Sequence, residues 1–263
     1  MFLELLIYAL TGAVAGILAG LLGIGGGLVI VPVLTSVFLV FLDTEYVVHL
    51  AIATSLATIL ITGLSSVRTH HAHGAVRWDL FTKMVSGILL GGFLGAWLSQ
   101  YVASFWLAKI FGVMELLIAI QMIWGRQPNP LRQLPGLVGL NSVSGGIGSL
   151  SALLGVGGGA LTTPYLIWNN IKMHQAIATS AAFGLPIALS GTIGYMLAGY
   201  GLDGLPEYSS GFVYWPAFIS IVAVSIFTAN WGAKLAHNLP IKTLKRAFGV
   251  LLIGLGLKML FLG

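Results

Sequence analysis

Apolar residues gather in eight long blocks, and the polar residues fall in the short stretches between them. The blocks cover roughly residues 2–42, 47–67, 78–100, 105–124, 136–169, 173–200, 213–236 and 247–262. A membrane-spanning helix takes about 20 apolar residues, so most blocks have the length of one span. The first and fifth blocks are longer than one span and are interrupted by glycine runs, which predicts two broken membrane helices.

The two glycine runs belong to a duplicated sequence. Residues 16–27 read Gly-Ile-Leu-Ala-Gly-Leu-Leu-Gly-Ile-Gly-Gly-Gly and precede Pro32, and residues 148–159 read Gly-Ser-Leu-Ser-Ala-Leu-Leu-Gly-Val-Gly-Gly-Gly and precede Pro164, about 132 residues later. The strings Ala-Ile-Ala-Thr-Ser and Phe-Gly-Val also occur in each half. The duplication therefore covers both halves, and matching helices are expected to be broken at matching places.

The charged residues predict how the halves face the membrane. If each broken block turns back as a hairpin, ten loop cations share one face of the membrane and five acidic residues lie on the other. The cations are Arg68, Arg77, Lys83, Arg126, Arg132, Lys172, Lys234, Lys242, Lys245 and Arg246, and the acidic residues are Glu4, Asp43, Glu45, Asp203 and Glu207. Short cytoplasmic loops are enriched in Lys and Arg, so this sorting favours hairpins. If each broken block crossed once, the same cations would divide equally between the faces.

A hairpin plus three spans gives each half an odd number of net crossings, so the second half is inverted relative to the first. The expected fold is an all-α polytopic membrane protein with two inverted repeats and both termini outside the cytoplasm. The repeats occupy residues 1–125 and 136–263 and form one integral membrane domain, with a cytoplasmic linker at 126–135.

Composition agrees with a multi-pass membrane protein. Hydrophobic residues make up 57% of the chain and charged residues 7%, and mean hydropathy is +0.99. No separate soluble or nucleic-acid-binding domain is expected from such a chain. The chain has no cysteine, which excludes disulfides and thiolate metal sites. The first residues carry no basic stretch, so we interpret them as a membrane segment and not as a cleaved signal peptide.

The glycine runs predict a binding site for an anion. Glycine lets backbone N–H groups approach a ligand, and the half-helices that start near Leu28 and Ala160 point their positive ends at the same place. Irregular backbone at membrane depth is tolerated only where it is buried or lines a cavity. The predicted substrate-binding glycines are Gly25, Gly26, Gly27, Gly157, Gly158 and Gly159. The alternative is that these glycines only allow close helix packing.

Repeated hydroxyl and imidazole groups extend this predicted site. Thr54 and Ser55 in the first half match Thr179 and Ser180 in the second, and we expect these hydroxyls to donate to the same anion. The alternative is that they bond back to carbonyls of their own helices.

A histidine precedes each of these pairs. His49 and His174 are candidates for gating or proton response, and the alternative is that each is a satisfied interfacial histidine.

Three further features carry charge or imidazole. Glu115 is the carboxylate well inside an apolar block and is a candidate for proton coupling, although its counterpart in the second half is Leu252. Arg68, at the end of its span, is a candidate for attracting anions. The histidine-rich stretch at 70–73 has no supporting carboxylate or thiolate, so we expect a basic loop near lipid headgroups and no metal site.

The sequence contains no residue pattern that is typical of an enzyme active site. The string at 155–160 follows no predicted strand, so it is not a dinucleotide fingerprint. Phosphate-binding loops, zinc-protease motifs and serine-hydrolase elbows are absent from the sequence. We therefore expect no enzyme and no cofactor.

Three features of the chain are typical of one family: the glycine runs, the Ala-Thr-Ser strings and the segment His73-Gly-Ala-Val-Arg-Trp78. In these features the chain resembles the sulfite exporter TauE/SafE family, also called the four-toluene sulfonate uptake permease family. The resemblance covers essentially the whole chain. It implies a carrier that moves small sulfur-containing or organic anions, such as sulfite, sulfoacetate and other sulfonates, across the cytoplasmic membrane.

Other functions remain open at this point. An anion channel is the nearer alternative, and a non-transporting membrane assembly factor is the more distant one, since a scaffold has no need of broken, duplicated helices. The expected partners are a small anionic substrate and membrane lipids. Proton coupling and assembly into homo-oligomers are left open by the sequence.

Overall fold

The structure is a computed structural model that describes residues 2–22, 26–125, 134–236 and 241–261. The chain there is mostly helical, with a short 3-10 turn at Ser99–Tyr101. The helices of the first half are α1 (Phe2–Leu22), α2 (Gly27–Phe41), α3 (Val47–Ala72), α4 (Trp78–Leu98) and α5 (Ser104–Trp124). Those of the second half are α6 (Leu137–Leu153), α7 (Gly159–Trp168), α8 (Met173–Ala198), α9 (Trp215–Ala236) and α10 (Ile241–Phe261). A small antiparallel hairpin, β1 (Ser209–Ser210) and β2 (Val213–Tyr214), precedes α9.

Long apolar helices dominate this architecture. Within the described ranges, four helices are long and apolar enough to cross a membrane: α3, α4 with its 3-10 extension, α5 and α8. These findings agree with the predicted all-α membrane protein. Residues 126–133 of the predicted linker lie outside the described residues.

One difference from the predicted boundaries is at the end of α3, which continues beyond residue 67 to Ala72. The helix stops where Gly74 adopts a left-handed conformation with φ of 63°, and the N–H groups of Gly74 and Ala75 bond back to His71 and His70. Glycine takes this conformation without steric cost, so the polar end of α3 stays helical up to this cap.

The helices pack in matched pairs, some between the halves and some within each half. α1 lies along α9 and α4 lies along α6, while α2 packs on α3 and α7 on α8. Two pairs, α3 with α8 and α5 with α10, join helices that correspond to each other. Exchanging the halves maps these pairs onto each other, as expected for twofold-related repeats. The inversion of the halves across the membrane stays a prediction.

Glycine sets the spacing of these helix pairs. A Cβ atom on Gly91 of α4 would lie 1.9 Å from the carbonyl oxygen of Gly145 in α6, and one on Gly12 of α1 would lie 2.6 Å from that of Ile221 in α9. No side chain fits at either place. Small residues allow such backbone contact between membrane helices, where apolar burial provides little driving force because lipid is equally apolar.

The first broken block reverses direction after α1. Gly26 lies beside Ala15 of α1, and the ring of Phe38 in α2 lies 6.0 Å from the ring of Tyr8 in α1. As the chain advances along α2 it therefore returns along α1. These contacts support a hairpin for the first block, although α2 has 15 residues and its counterpart α7 has only 10.

Cysteine labelling tests the predicted topology, because the background contains no cysteine. Asp43, Asp203, His73 and Lys172 all lie at exposed positions. If both broken blocks are hairpins, an impermeant thiol reagent applied to intact cells labels Asp43→Cys and Asp203→Cys and leaves His73→Cys and Lys172→Cys unlabelled. Labelling of Lys172→Cys but not of His73→Cys would contradict the hairpins, because single crossings place these two loops on opposite sides.

Candidate functional site

The start of α2, directly after the first interruption, meets the second interruption beside the middle of α3. We call residues 23–26 the first break and residues 154–158 the second break. A Cβ atom on Gly27, the first residue of α2, would lie 2.4 Å from the carbonyl oxygen of Gly155 and 3.2 Å from Ile59, in the middle of α3. Gly158 packs against Ser180 and Gly184 in α8. The predicted site residue Gly25 lies outside the described residues.

Close packing explains part of this glycine content. A Cβ atom on Gly158 would lie 2.4 Å from the carbonyl oxygen of Ser180, as close as one on Gly27 would lie to Gly155. Both obstacles are backbone atoms, so even alanine does not fit without movement of the chain. Gly26 has more room but takes a left-handed conformation, with φ of 61°. The packing alternative therefore holds for Gly27 and Gly158.

The start of each half-helix still carries backbone donors without acceptors. Among the described residues, the N–H groups of Gly26, Gly27 and Leu28 have no backbone acceptor, nor have those of Gly158 and Gly159. The first N–H groups of any helix lack partners within that helix. Here they lie at mid-helix depth, beside buried helices, which is the arrangement that favours an anion.

The hydroxyl pairs do not meet at one point, contrary to the expectation from sequence. Gly63 packs against Leu185 and Leu56 packs against Gly191, so α3 and α8 run antiparallel. Thr54 and Thr179 consequently lie toward opposite ends of this helix pair. With a rise of 1.5 Å per residue they are ~20 Å apart along the helix axes. Along its helix each threonine adjoins a serine that contacts the second break, since Ser55 donates to Gly155 and Ser180 packs against Gly158.

Each threonine instead holds a loop of the other half. Thr54 Oγ1 accepts a hydrogen bond of 3.1 Å from the N–H of Tyr214, which precedes α9. Thr179 Oγ1 accepts one of 3.0 Å from the N–H of Arg77, which precedes α4. Thr54 and Thr179 are both fully buried. The repeated Ala-Thr-Ser string thus fixes the starts of two corresponding helices.

A short repeated motif that sequence reasoning missed supplies these loops. Residues 74–78 read Gly-Ala-Val-Arg-Trp and residues 211–215 read Gly-Phe-Val-Tyr-Trp. In both copies the glycine has positive φ, the valine is buried and the residue before tryptophan donates to the threonine. The signal was available as a Gly-x-Val-x-Trp spacing at corresponding places in the two halves.

The two serines differ in their partners. Ser55 Oγ donates to the carbonyl oxygen of Gly155 at 2.9 Å and so ties α3 to the second break. Ser180 Oγ is fully buried and has no hydrogen-bond partner among the described residues, and the same is true of Thr162 Oγ1 in α7. Ser180 is therefore the repeated hydroxyl that remains free to donate, on the helix that carries Gly158.

The two candidate histidines occupy unlike environments. His49 is only 2% exposed, with Nε2 lying 3.0 Å from the carbonyl oxygen of Ser99 and Nδ1 lying 3.1 Å from Ser104 Oγ. Its ring stacks on Phe212. His174 is exposed at the start of α8. His49 thus has the contacts of a satisfied interior histidine, while His174 is accessible to water or headgroups.

An aromatic cluster closes the end of the protein where α3 begins. The rings of Tyr8, Phe38 and Tyr214 pack edge to face, with centroids 5.5–6.4 Å apart. Phe212, from the same β-hairpin as Tyr214, packs between His49 and further aromatic rings. Edge-to-face contacts of this kind are favourable, so the hairpin forms a well-packed lid over the first half of α3.

The opposite end of α3 is exposed at the surface. Its first half, from Val47 to Ile59, is buried, whereas Leu64 is 43% exposed and Arg68 is exposed as well. The corresponding second half of α8, from Pro186 to Ala198, is mostly buried. Arg68 thus lies on an accessible, hydroxyl-rich stretch of helix, away from the breaks.

The structure also shows the surroundings of Glu115 and of the histidine-rich stretch. Glu115 is buried in the middle of α5, with neither carboxylate oxygen bonded to any described residue. In the histidine-rich stretch, which ends α3, the indole Nε1 of Trp78 donates to Nδ1 of His71 at 3.1 Å, and the two rings pack edge to face. His71 thus makes a structural contact between α3 and α4.

Removing the hydroxyl of Thr54 tests whether it holds the loop before α9. Thr54→Val leaves the buried N–H of Tyr214 without an acceptor, and we expect a loss of about 1–3 kcal/mol in stability. Thr54→Ser keeps the acceptor and should remain near wild type. The measurement is the midpoint of thermal unfolding in detergent. The control is Thr62→Val, whose hydroxyl bonds only within α3. Equal stability of Thr54→Val and this control would disprove the role.

Comparison with known proteins supports a transport function. A probable membrane transporter protein of Haemophilus influenzae is 37% identical over 98% of this chain and 99% of its own length. One of Methanocaldococcus jannaschii is 28% identical over 95% of this chain and 93% of its own length. No solved structure matches the chain. Residues 8–259 match the sequence profile of the sulfite exporter TauE/SafE family, and the chain belongs to this family of membrane transporters.

Proposed function

We propose that this protein is a secondary transporter that moves small sulfur-containing or organic anions, such as sulfite, sulfoacetate and other sulfonates, across the inner membrane. Membership of the TauE/SafE family supports transport and the sulfur-containing class of substrate. The chain has a net charge of +5, and several cationic residues lie near the exposed end of α3. This positive charge attracts an anionic substrate.

The observation that carries the proposal is the meeting of the two breaks at mid-helix depth. Gly27 touches the second break and Ile59, and Gly158 touches the middle of α8. Both half-helices start there with backbone N–H groups that have no backbone acceptor in the described part of the chain. Since uncompensated backbone donors are costly inside a membrane, a ligand that accepts from them is stabilised.

We assign the anion to the donors around these half-helices. The site comprises the N–H groups at Gly26 and Gly27 and those at Gly158 and Gly159, together with Ser180, a buried hydroxyl that has no partner among the described residues. Thr54, Ser55 and Thr179 support the site from outside, because their hydroxyls already bond to the loops and to the second break. This assignment replaces a single ring of four hydroxyls by backbone donors and one serine.

Exposure differs between the two ends of α3. The aromatic lid covers the end near His49, whereas Arg68 near the other end is exposed. With the predicted topology, the exposed end faces the cytoplasm. Cover at one end only suits a carrier that alternates between two states, whereas an anion channel requires a continuous path. A membrane assembly factor has no need of buried donors at mid-helix depth.

Flux into proteoliposomes tests the proposed function. We expect the purified protein to take up at least one of radiolabelled sulfite, sulfoacetate and taurine, and to show faster uptake when the vesicles are preloaded with the same unlabelled anion. That acceleration distinguishes a carrier from a channel. Failure to move any of the three, with protein correctly inserted, would contradict the proposed substrate class.

Binding by the Ser180→Ala variant tests the site. A hydrogen bond to a charged ligand contributes about 1.5–3 kcal/mol, so this variant should bind the transported anion at least about tenfold more weakly. Calorimetry on purified protein measures the affinity. Ser190→Ala is the matched control, since this serine lies on the same helix and bonds back to the carbonyl oxygen of Pro186. Unchanged affinity in Ser180→Ala would place the anion elsewhere.

A further inference from the structure

Glu115 is a buried carboxylate without a hydrogen-bond partner among the described residues. Its side chain is 1% exposed, and neither Oε1 nor Oε2 has a hydrogen-bond partner among the described residues. It lies on the buried face of α5, one turn from Gly112. Gly112 contacts Gly256 and Leu260 of α10 at close range, so this face is sealed against α10.

Among the described side chains, the elements packed against α5 bring no opposite charge to Glu115. Both α10 and α3 contact α5. Their titratable and charged groups lie toward the helix ends: His49, Arg68, His70 and His71 on α3, and Lys242, Lys245, Arg246 and Lys258 on α10. Arg246 and Lys258 are exposed, and the side chains of Lys242 and Lys245 lie outside the described residues. On α5 itself, Lys109 donates to the carbonyl oxygen of Leu260.

Glu115 also lies at the depth of the proposed anion site. Ser104, at the start of α5, contacts His49 at the start of α3. Glu115 follows Ser104 by about eleven residues, or ~16 Å of helix. At that depth along α3 lies Ile59, which touches Gly27.

An ionised carboxylate without a cation or donor is strongly disfavoured inside a membrane, so the sealed state holds Glu115 as a neutral acid. We propose that Glu115 is the proton-binding site of this protein, and that its proton moves with the transport cycle. When the cycle brings Glu115 to water, the acid gives its proton to a water molecule and becomes a carboxylate, and the reverse step reseals it. This coupling rests on the proposed transport function.

The residue at the corresponding position in the second half supports this inference. The counterpart of Glu115 is Leu252, which is also fully buried in the helix pair formed by α5 and α10. A position that accepts leucine in one half has no structural need of a carboxylate in the other. Burying an unpartnered polar group costs stability, so its presence points to a role that leucine cannot perform.

Infrared spectroscopy tests proton binding without any substrate. Purified protein near neutral pH should show the C=O stretching band of a protonated carboxyl group, and Glu115→Gln should remove it. Glu207→Gln is the control, because Glu207 is an exposed loop residue and should leave the band unchanged. A band that survives in Glu115→Gln, or that is absent from the wild type at neutral pH, would overturn the assignment.

A flux measurement tests coupling separately. We expect a pH gradient across proteoliposomes to change the initial rate of anion uptake at least about fivefold in the wild type, whereas uptake in Glu115→Gln no longer depends on the gradient. Glu115→Leu, which copies the second half, should behave like Glu115→Gln. Persistence of the gradient effect in both variants would overturn the coupling. If the wild type moves none of the tested anions, the proposed function fails, and the infrared result still decides whether Glu115 binds a proton.

Discussion

The constraint behind this structure is that a broken helix inside a membrane must still satisfy or shelter its backbone polar groups. The protein shelters its second break partly with residues of the first half. Gly27 lies against that break, and Ser55 donates to the buried carbonyl oxygen of Gly155. Gly158 of the same break packs against α8 of its own half. The glycines that make the breaks possible therefore also make the two halves interdependent.

The same exchange between halves positions the helices around the site. Thr54 and Thr179 each accept from the residue that precedes a helix of the other half, and each such loop carries the Gly-x-Val-x-Trp motif. The start of α9 is thereby fixed to α3, and the start of α4 to α8. Any rearrangement that opens one end and closes the other must change how these loops sit on the two central helices. A hydrogen bond from a backbone N–H to a hydroxyl allows such a rearrangement, since it can form and break at modest net cost in free energy.

The sequence predicts the membrane class, the broken helices and the cation distribution because glycine runs, apolar lengths and loop charges act locally. It could not predict where Thr54 and Thr179 lie relative to each other, because that depends on the antiparallel register of α3 and α8. The loop motif was hidden because three of its five residues are constant, while the other two change from Ala75 and Arg77 to Phe212 and Tyr214. The burial of His49 was equally invisible, since it comes from Ser99 and Phe212, far along the chain.

The differences between the halves are as informative as their likeness. His49 is buried and His174 exposed, Ser55 is bonded while Ser180 has no partner in the described ranges, and the second half of α3 is more exposed than that of α8. Sequences this alike would take equivalent environments in a fully symmetric structure, so the structure occupies an asymmetric state. For inverted repeats, exchanging the environments of the two halves produces the oppositely oriented state without new kinds of contact. Glu115 breaks this equivalence in the sequence itself, because Leu252 cannot take over its proton.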